Sequence, residues 1–221
     1  MTIDYRLYLV TDETLPKDEL LKKVELAIQG GVTIVQLREK SGNGKVFYEK
    51  AVKLRELTEK YQIPLIINDR VDIALAVGAD GVHVGQSDLP APAIRKIIPL
   101  SMIVGVSVGN PEEAREAELN GANYVGVGAV FPTTSKADAK VLPPGMLDKI
   151  LETIQIPAVA IGGINLENVS MLGGKNIAGI AVVSGIMKAN DPFEVAKAYR
   201  KLLKWGYGRE GKVVSKTVLF I

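Results

Sequence analysis

Residues 34–67, IVQLREKSGNGKVFYEKAVKLRELTEKYQIPLII, decide how the rest of the chain is read. Ile34–Leu37 is short and apolar without strict alternation, as a strand buried on both faces of a parallel sheet should be. Lys45–Tyr61 then sets Val46, Ala51, Leu54 and Leu57 on one helical face. Leu65–Ile67 opens a second buried run, so the stretch predicts a strand, a crossover helix and a parallel strand.

The unit recurs in both directions. Further strands are predicted at Leu7–Val10, Val82–Val84, Met102–Val106, Tyr124–Val127, Ala158–Ile161 and Ile180–Val183. Lys17–Gln29 carries Leu20, Leu21, Val24 and Ala27 on one face and stops at Gly30-Gly31. Asn110-Pro111-Glu112-Glu113 reads as an N-cap, a proline at the first helical position and acids in the first turn. Ala93–Ile98, Met146–Ile154, Leu166–Leu172 and Pro192–Leu203 are further helices, and Arg70–Val77 is a shorter one. Eight strands alternating with eight helices predict a single (β/α)8 TIM barrel, class α/β, over residues 1–205. An open doubly wound sheet is the alternative, but it more often uses five or six strands. Residues 206–221, glycine-rich and then basic and β-prone, read as a C-terminal tail, either an edge strand or disordered.

Composition narrows the chemistry. The 221 residues carry 27 Lys+Arg against 25 Asp+Glu, a net charge of +2, which implies no nucleic-acid or membrane footprint. No cysteine excludes disulfides, thiolate nucleophiles and cysteine metal sites. A single histidine, His83, excludes multi-histidine metal sites; between Val82 and Val84 it reads as a packed, hydrogen-bonded group before a general base. The N-terminal stretch has no basic-then-apolar signal pattern, and no apolar run approaches the roughly 20 residues that span a bilayer. A soluble cytoplasmic protein is expected, with a homo-oligomer left open.

Barrel enzymes place their active groups at the carboxyl ends of the strands, and polar residues concentrate there. Gln36, Arg38 and Lys40 alternate, so they share one face while Leu37 and Glu39 take the other. Two cations and an amide in a barrel mouth suit a strongly anionic ligand; a solvated strand end is the plainer reading. Asp69 and Asp88 close neighbouring strands and suit Mg²⁺, which keeps waters and phosphates in its shell; a helix cap and a turn residue are the plainer alternatives. Gly162-Gly163 and Ser184-Gly185 follow strands seven and eight, where barrels bind phosphate through backbone amides, though paired glycines also make ordinary turns. Thr133-Thr134-Ser135-Lys136 reads as a phosphate-holding loop or a flexible polar one. Two anion sites result: Arg38, Lys40, Lys136 and a metal for a pyrophosphate, and the ends of strands seven and eight for a monophosphate.

These motifs resemble those of the thiamine phosphate synthase family. The resemblance rests on Gln36-Leu37-Arg38-Glu39-Lys40, Asn68-Asp69, Gly81-Val82-His83-Val84-Gly85-Gln86 with Asp88, Gly105-Val106-Ser107, Phe131 to Lys136, Gly162-Gly163-Ile164 and Val183-Ser184. It implies a transferase that joins a hydroxymethylpyrimidine pyrophosphate to a thiazole (or carboxythiazole) phosphate, giving thiamine phosphate and pyrophosphate. It also implies that Gln36, Leu37, Arg38, Glu39, Lys40, Asn68, Ser107 and Lys136 hold the pyrimidine pyrophosphate. Thr133, Thr134, Ser135, Gly163, Val183 and Ser184 would then hold the thiazole phosphate, and Asp69 and Asp88 the Mg²⁺. The thiazole nitrogen brings no proton, so no general base is needed. A dissociative substitution is expected, with Arg38, Lys40, Ser107 and Lys136 as the catalytic groups that stabilise departing pyrophosphate. The rivals are a thiazole tautomerase on the same fold and a non-catalytic phosphate-sensing barrel. The partners in every case are phosphorylated small molecules.

Overall fold

Each short Val- and Ile-rich run forms a strand that is covered by helices outside and by its opposite numbers inside. The computed structural model describes residues 3–41, 43–135 and 139–203. The strands are β1 (Leu7–Val10), β2 (Ile34–Leu37), β3 (Leu65–Asn68), β4 (Gly81–Val84), β5 (Ile103–Val108), β6 (Tyr124–Gly128), β7 (Ala158–Ile161) and β8 (Gly179–Val182). Each pairs in parallel with the next, and β8 returns to β1 through Leu7↔Ile180 and Leu9↔Val182. The ring is closed, so the (β/α)8 barrel holds and the open doubly wound sheet is excluded. The predicted tail, residues 206–221, lies outside the described residues.

The helices are α1 (Lys17–Gln29), α2 (Gly44–Lys60), α3 (Val71–Ala76), α4 (Ala91–Arg95), α5 (Pro111–Leu119), α6 (Met146–Thr153), α7 (Ser184–Met187) and α8 (Pro192–Leu202). Caps set several of their starts. Asn110 accepts from the Glu113 amide at 2.8 Å, and Glu113 accepts in return from Asn110 Nδ2 and from the Gly109 amide. Asn43 and Asp191 cap α2 and α8 by accepting from the amides of Val46 and Glu194. Among the described residues no helix is long and apolar enough to cross a membrane.

Two expectations need correction. The helix predicted at Leu166–Leu172 is only a 3₁₀ turn, Val169–Leu172. Asn165 accepts from the amides of Glu167 and Asn168, and Asn168 accepts from the Asn165 amide, so side chains hold the backbone groups that a helix would have used. The predicted Ala93–Ile98 starts two residues earlier and ends at Arg95. Pro90 opens it and Pro92 fits its first turn, while Pro99 stops the chain from continuing as a helix. The short α7 after β8 was not anticipated.

Strand alternation divides the core into two shells. Leu7, Leu9, Val35, Leu37, Val82 and Val104 face outward against α1, α2 and their neighbours. Tyr5, Tyr8, Ile34, Ile66, Ile103, Tyr124 and Val159 fill the barrel. Space for Tyr124 comes from Gly105 on the adjoining strand: a Cβ there would lie 2.2 Å from the tyrosine Cζ and 2.4 Å from its hydroxyl. Gly105→Ala therefore forces a fully buried ring to move, and overpacking of this kind costs about 1–3 kcal/mol. The expected result is a lower midpoint in urea unfolding at unchanged m-value.

Candidate active site

A cavity of about 810 Å³ opens at the carboxyl ends of the strands. On the β2 wall the alternation falls as predicted: Gln36, Arg38 and Lys40 line the cavity. Leu37 belongs to the outer shell, and Glu39 is buried against α2, where it pairs with Lys50 at 2.5 Å. The side chains of Leu37 and Glu39 therefore stand outside the cavity in which they were expected to act. Glu39 instead anchors the strand end that carries the two cations. A second clamp comes from the loop after β1. Thr11 Oγ1 accepts from the Arg38 amide at 3.0 Å, and Glu13 accepts from the amides of Lys40 and Ser41. Burial alone would raise the Glu13 pKa, but these donors and Arg38 hold it below its ordinary value.

β3 and β4 deliver Asn68, Asp69 and Asp88 to the same mouth. Asp69 adopts a left-handed backbone, φ +60°, a conformation that aspartate tolerates better than most residues. It does not cap α3, whose N-cap is Arg70. Its carboxylate pairs with Lys40 and faces Asp88. Burial raises the Asp69 pKa, and the Asp88 carboxylate adds to this, outweighing Lys40. Asp88 also closes its turn, accepting from the Gly85 amide at 2.8 Å. The turn role and the approach of the two carboxylates are thus both realised. Their crowding is relieved by a cation, so the donor set suits a divalent ion.

The floor of the cavity is polar. His83 is buried, with Nδ1 2.9 Å from the Tyr124 hydroxyl and Nε2 2.9 Å from Ser107 Oγ. The Tyr124 hydroxyl lies 2.8 Å from that of Tyr8, and Gln36 Nε2 donates to Tyr8 at 2.8 Å. The packed, hydrogen-bonded histidine is as expected. The two tyrosines were not singled out, because 116 residues separate them in sequence and each sits in an ordinary apolar run.

The opposite wall comes from β6, β7 and β8. Thr133, Ser135, Gly162, Gly163, Val183 and Ser184 line it, and Ser135 Oγ lies 3.4 Å from Ser184 Oγ. Gly163 has φ +65°, and a Cβ on it would meet the Pro132 carbonyl oxygen at 2.3 Å. Only glycine lets these two loops close on each other there. Thr134 is exposed and does not line the cavity. Lys136 lies outside the described residues. Lys140 and Leu142, missed in the sequence, also line the mouth, and the Leu142 amide donates to Ala129.

A closed parallel barrel with two cations and two carboxylates on one side of its mouth, and hydroxyls and close-packed glycines on the other, defines the class: a (β/α)8-barrel enzyme with its site at the strand ends. A family model described as thiamine monophosphate synthase matches residues 7–186. The chain is 54% identical over 203 residues to the thiamine-phosphate synthase of Ruminiclostridium cellulolyticum, covering 91% of this chain and 95% of that one. It is 49% identical to the thiamine-phosphate synthase of Clostridium acetobutylicum, with 91% and 96% covered. Among solved structures, thiamine phosphate pyrophosphorylase from Pyrococcus furiosus aligns with a TM-score of 0.85 and 41% identity, covering 93% of this chain and 98% of that one. The chain belongs to the thiamine monophosphate synthase family and is a transferase of thiamine biosynthesis.

Proposed function

We propose that the two walls of the cavity hold the two substrates of this transfer: the pyrimidine pyrophosphate against Gln36, Arg38, Lys40, Asn68 and Ser107, and the thiazole phosphate against Thr133, Ser135, Gly163, Val183 and Ser184. The observation that carries the reading is the chemical difference between the walls, one bearing cations and carboxylates and the other hydroxyls and glycines. Asp69 and Asp88 would hold Mg²⁺, which when bound neutralises charge on the pyrophosphate. Among the described residues no group of three or more acidic or histidine ligands occurs. The ion would therefore draw its remaining ligands from water and phosphate, as Mg²⁺ commonly does.

The reaction breaks the bond between the pyrimidine methylene carbon and the pyrophosphate oxygen, whose electron pair leaves with the oxygen. The thiazole nitrogen lone pair then forms the new carbon–nitrogen bond. No proton need be removed, which suits a cavity in which both ring nitrogens of His83 are engaged in hydrogen bonds. Arg38 and Lys40 stabilise the charge that grows on the leaving group, and the Gly163 wall holds the nucleophile in line. Lys136 joins the pyrophosphate set in this reading. The partners are small phosphorylated molecules, and the location is cytoplasmic.

Calorimetric titration of each ligand separately tests the division of the site. Arg38→Ala should weaken the pyrimidine pyrophosphate and leave the thiazole phosphate unchanged. Ser184→Ala should do the reverse. If either variant weakened both ligands equally, the two-wall assignment would be lost.

A further inference from the structure

Gln36 and Ser107 both line the cavity, on β2 and β5, and one continuous hydrogen-bond chain joins them across its floor: Gln36, Tyr8, Tyr124, His83, Ser107. Each hydroxyl has a single hydrogen to give, so the direction of the chain can be worked out from one end. Gln36 Nε2 is a donor and spends one hydrogen on the Tyr8 oxygen. Tyr8 is 1% exposed and Tyr124 is not exposed at all, and burial raises the pKa of both, so each phenol keeps its hydrogen. Were Tyr124 to donate to Tyr8, the Tyr8 hydrogen would be left buried without an acceptor, which costs more than a hydrogen bond gains. With Tyr8 donating to Tyr124, Tyr124 donates to His83 Nδ1. The imidazole proton then sits on Nε2 and is given to Ser107 Oγ. The opposite direction requires Gln36 to turn its amide over and present oxygen to Tyr8.

We propose that Tyr8, Tyr124 and His83 are positioning residues, a one-way chain that holds His83 as the Nε2–H tautomer and obliges Ser107 to give its own hydrogen to the bound substrate. Ser107 is thereby an oriented donor; without the chain its hydroxyl would turn its hydrogen to the histidine. Glycines make room for the arrangement: a Cβ at Gly126 would lie 3.2 Å from His83 Cε1, and one at Gly105 would displace Tyr124. The part played by the substrate rests on the function proposed above; the direction of the chain does not.

His83 is the only histidine of the 221 residues, so untagged full-length protein labelled with ¹⁵N-histidine gives one imidazole in a long-range ¹H–¹⁵N spectrum. At neutral pH without ligands the proton should be on Nε2. A proton on Nδ1, a mixture of tautomers or an imidazolium would overturn the proposal. Tyr124→Phe should convert the single tautomer to a mixture or to Nδ1–H, and lower kcat about 10–100-fold, the usual cost of losing such a supporting contact. Ser107→Ala added to it should cost little more, because the two act as one. A loss of kcat in Tyr124→Phe with the tautomer unchanged, or losses that multiply in the double variant, would mean that Tyr124 only packs. If Tyr124→Phe does not fold, Tyr8→Phe serves in its place: it removes the donor that sets the direction, and the tautomer should again become mixed. An Nε2–H signal in a protein without synthase turnover would count against the proposed function and leave the chain standing.

Discussion

Asp69→Ala is expected to abolish Mg²⁺-dependent turnover while the protein remains folded. Asp69 and Asp88 face each other at the ends of β3 and β4, and a two-carboxylate site that loses one member keeps little hold on a weakly bound ion. Stability should not suffer. Folding raises the Asp69 pKa, so the folded chain holds that proton more tightly than the unfolded chain does. The ionised carboxylate therefore opposes folding at neutral pH, and its removal takes that opposition away together with the Lys40 pairing. Thermal melting should show a midpoint unchanged or raised, and activity should not return on adding Mg²⁺. The same raised pKa sets the pH dependence of the native protein. Protons compete with the metal at higher pH than they would at an ordinary carboxylate, so the Mg²⁺ needed for half-maximal rate should increase as pH falls toward the acid range. Asp72→Ala is the control, since that carboxylate pairs with Arg70 on the surface. Full turnover in Asp69→Ala, or loss of turnover in both variants, would remove the metal assignment.

The second large effect is expected at Arg38. Its guanidinium lines the cavity, its amide is fixed by Thr11, and the neighbouring Glu39 is pinned to Lys50 behind the strand. The cation is thus preorganised, which is what makes a donor worth more to a transition state than to a ground state. Arg38→Ala should lower kcat about 10²–10³-fold, the usual cost of losing one such donor. Steady-state kinetics separate the possibilities. A rise in KM at unchanged kcat would mean that Arg38 holds only the ground-state pyrophosphate. Lys50→Ala should reproduce a smaller part of the loss by loosening the strand end, although Lys50 does not line the cavity.

Much of this architecture was legible in the residues because each signal was local. Buried runs such as Leu7–Val10 and Ala158–Ile161 became strands with the predicted bounds. Alternation from Gln36 to Lys40 correctly sent three side chains inward and two outward. The resemblance groups all five residues as ligand-binding; the side chain of Glu39 is engaged by Lys50 behind the strand, while Gln36, Arg38 and Lys40 face the cavity. Contacts between distant strands left no local trace. Tyr8 and Tyr124 meet only because β1 and β6 enclose the same barrel, and Lys40 meets Asp69 only because β2 and β3 run side by side. Leu166–Leu172 failed for a different reason: its apolar spacing was helical, but asparagine side chains captured the backbone.

The central claim is that one barrel mouth joins two phosphorylated molecules with loss of pyrophosphate. The direct measurement is pyrophosphate release on mixing the protein with the pyrimidine pyrophosphate, the thiazole phosphate and Mg²⁺, omitting each in turn. The account predicts release only with all three present, and thiamine phosphate in equal amount. Binding of both ligands without release, or release without the thiazole phosphate at the same rate, would contradict it.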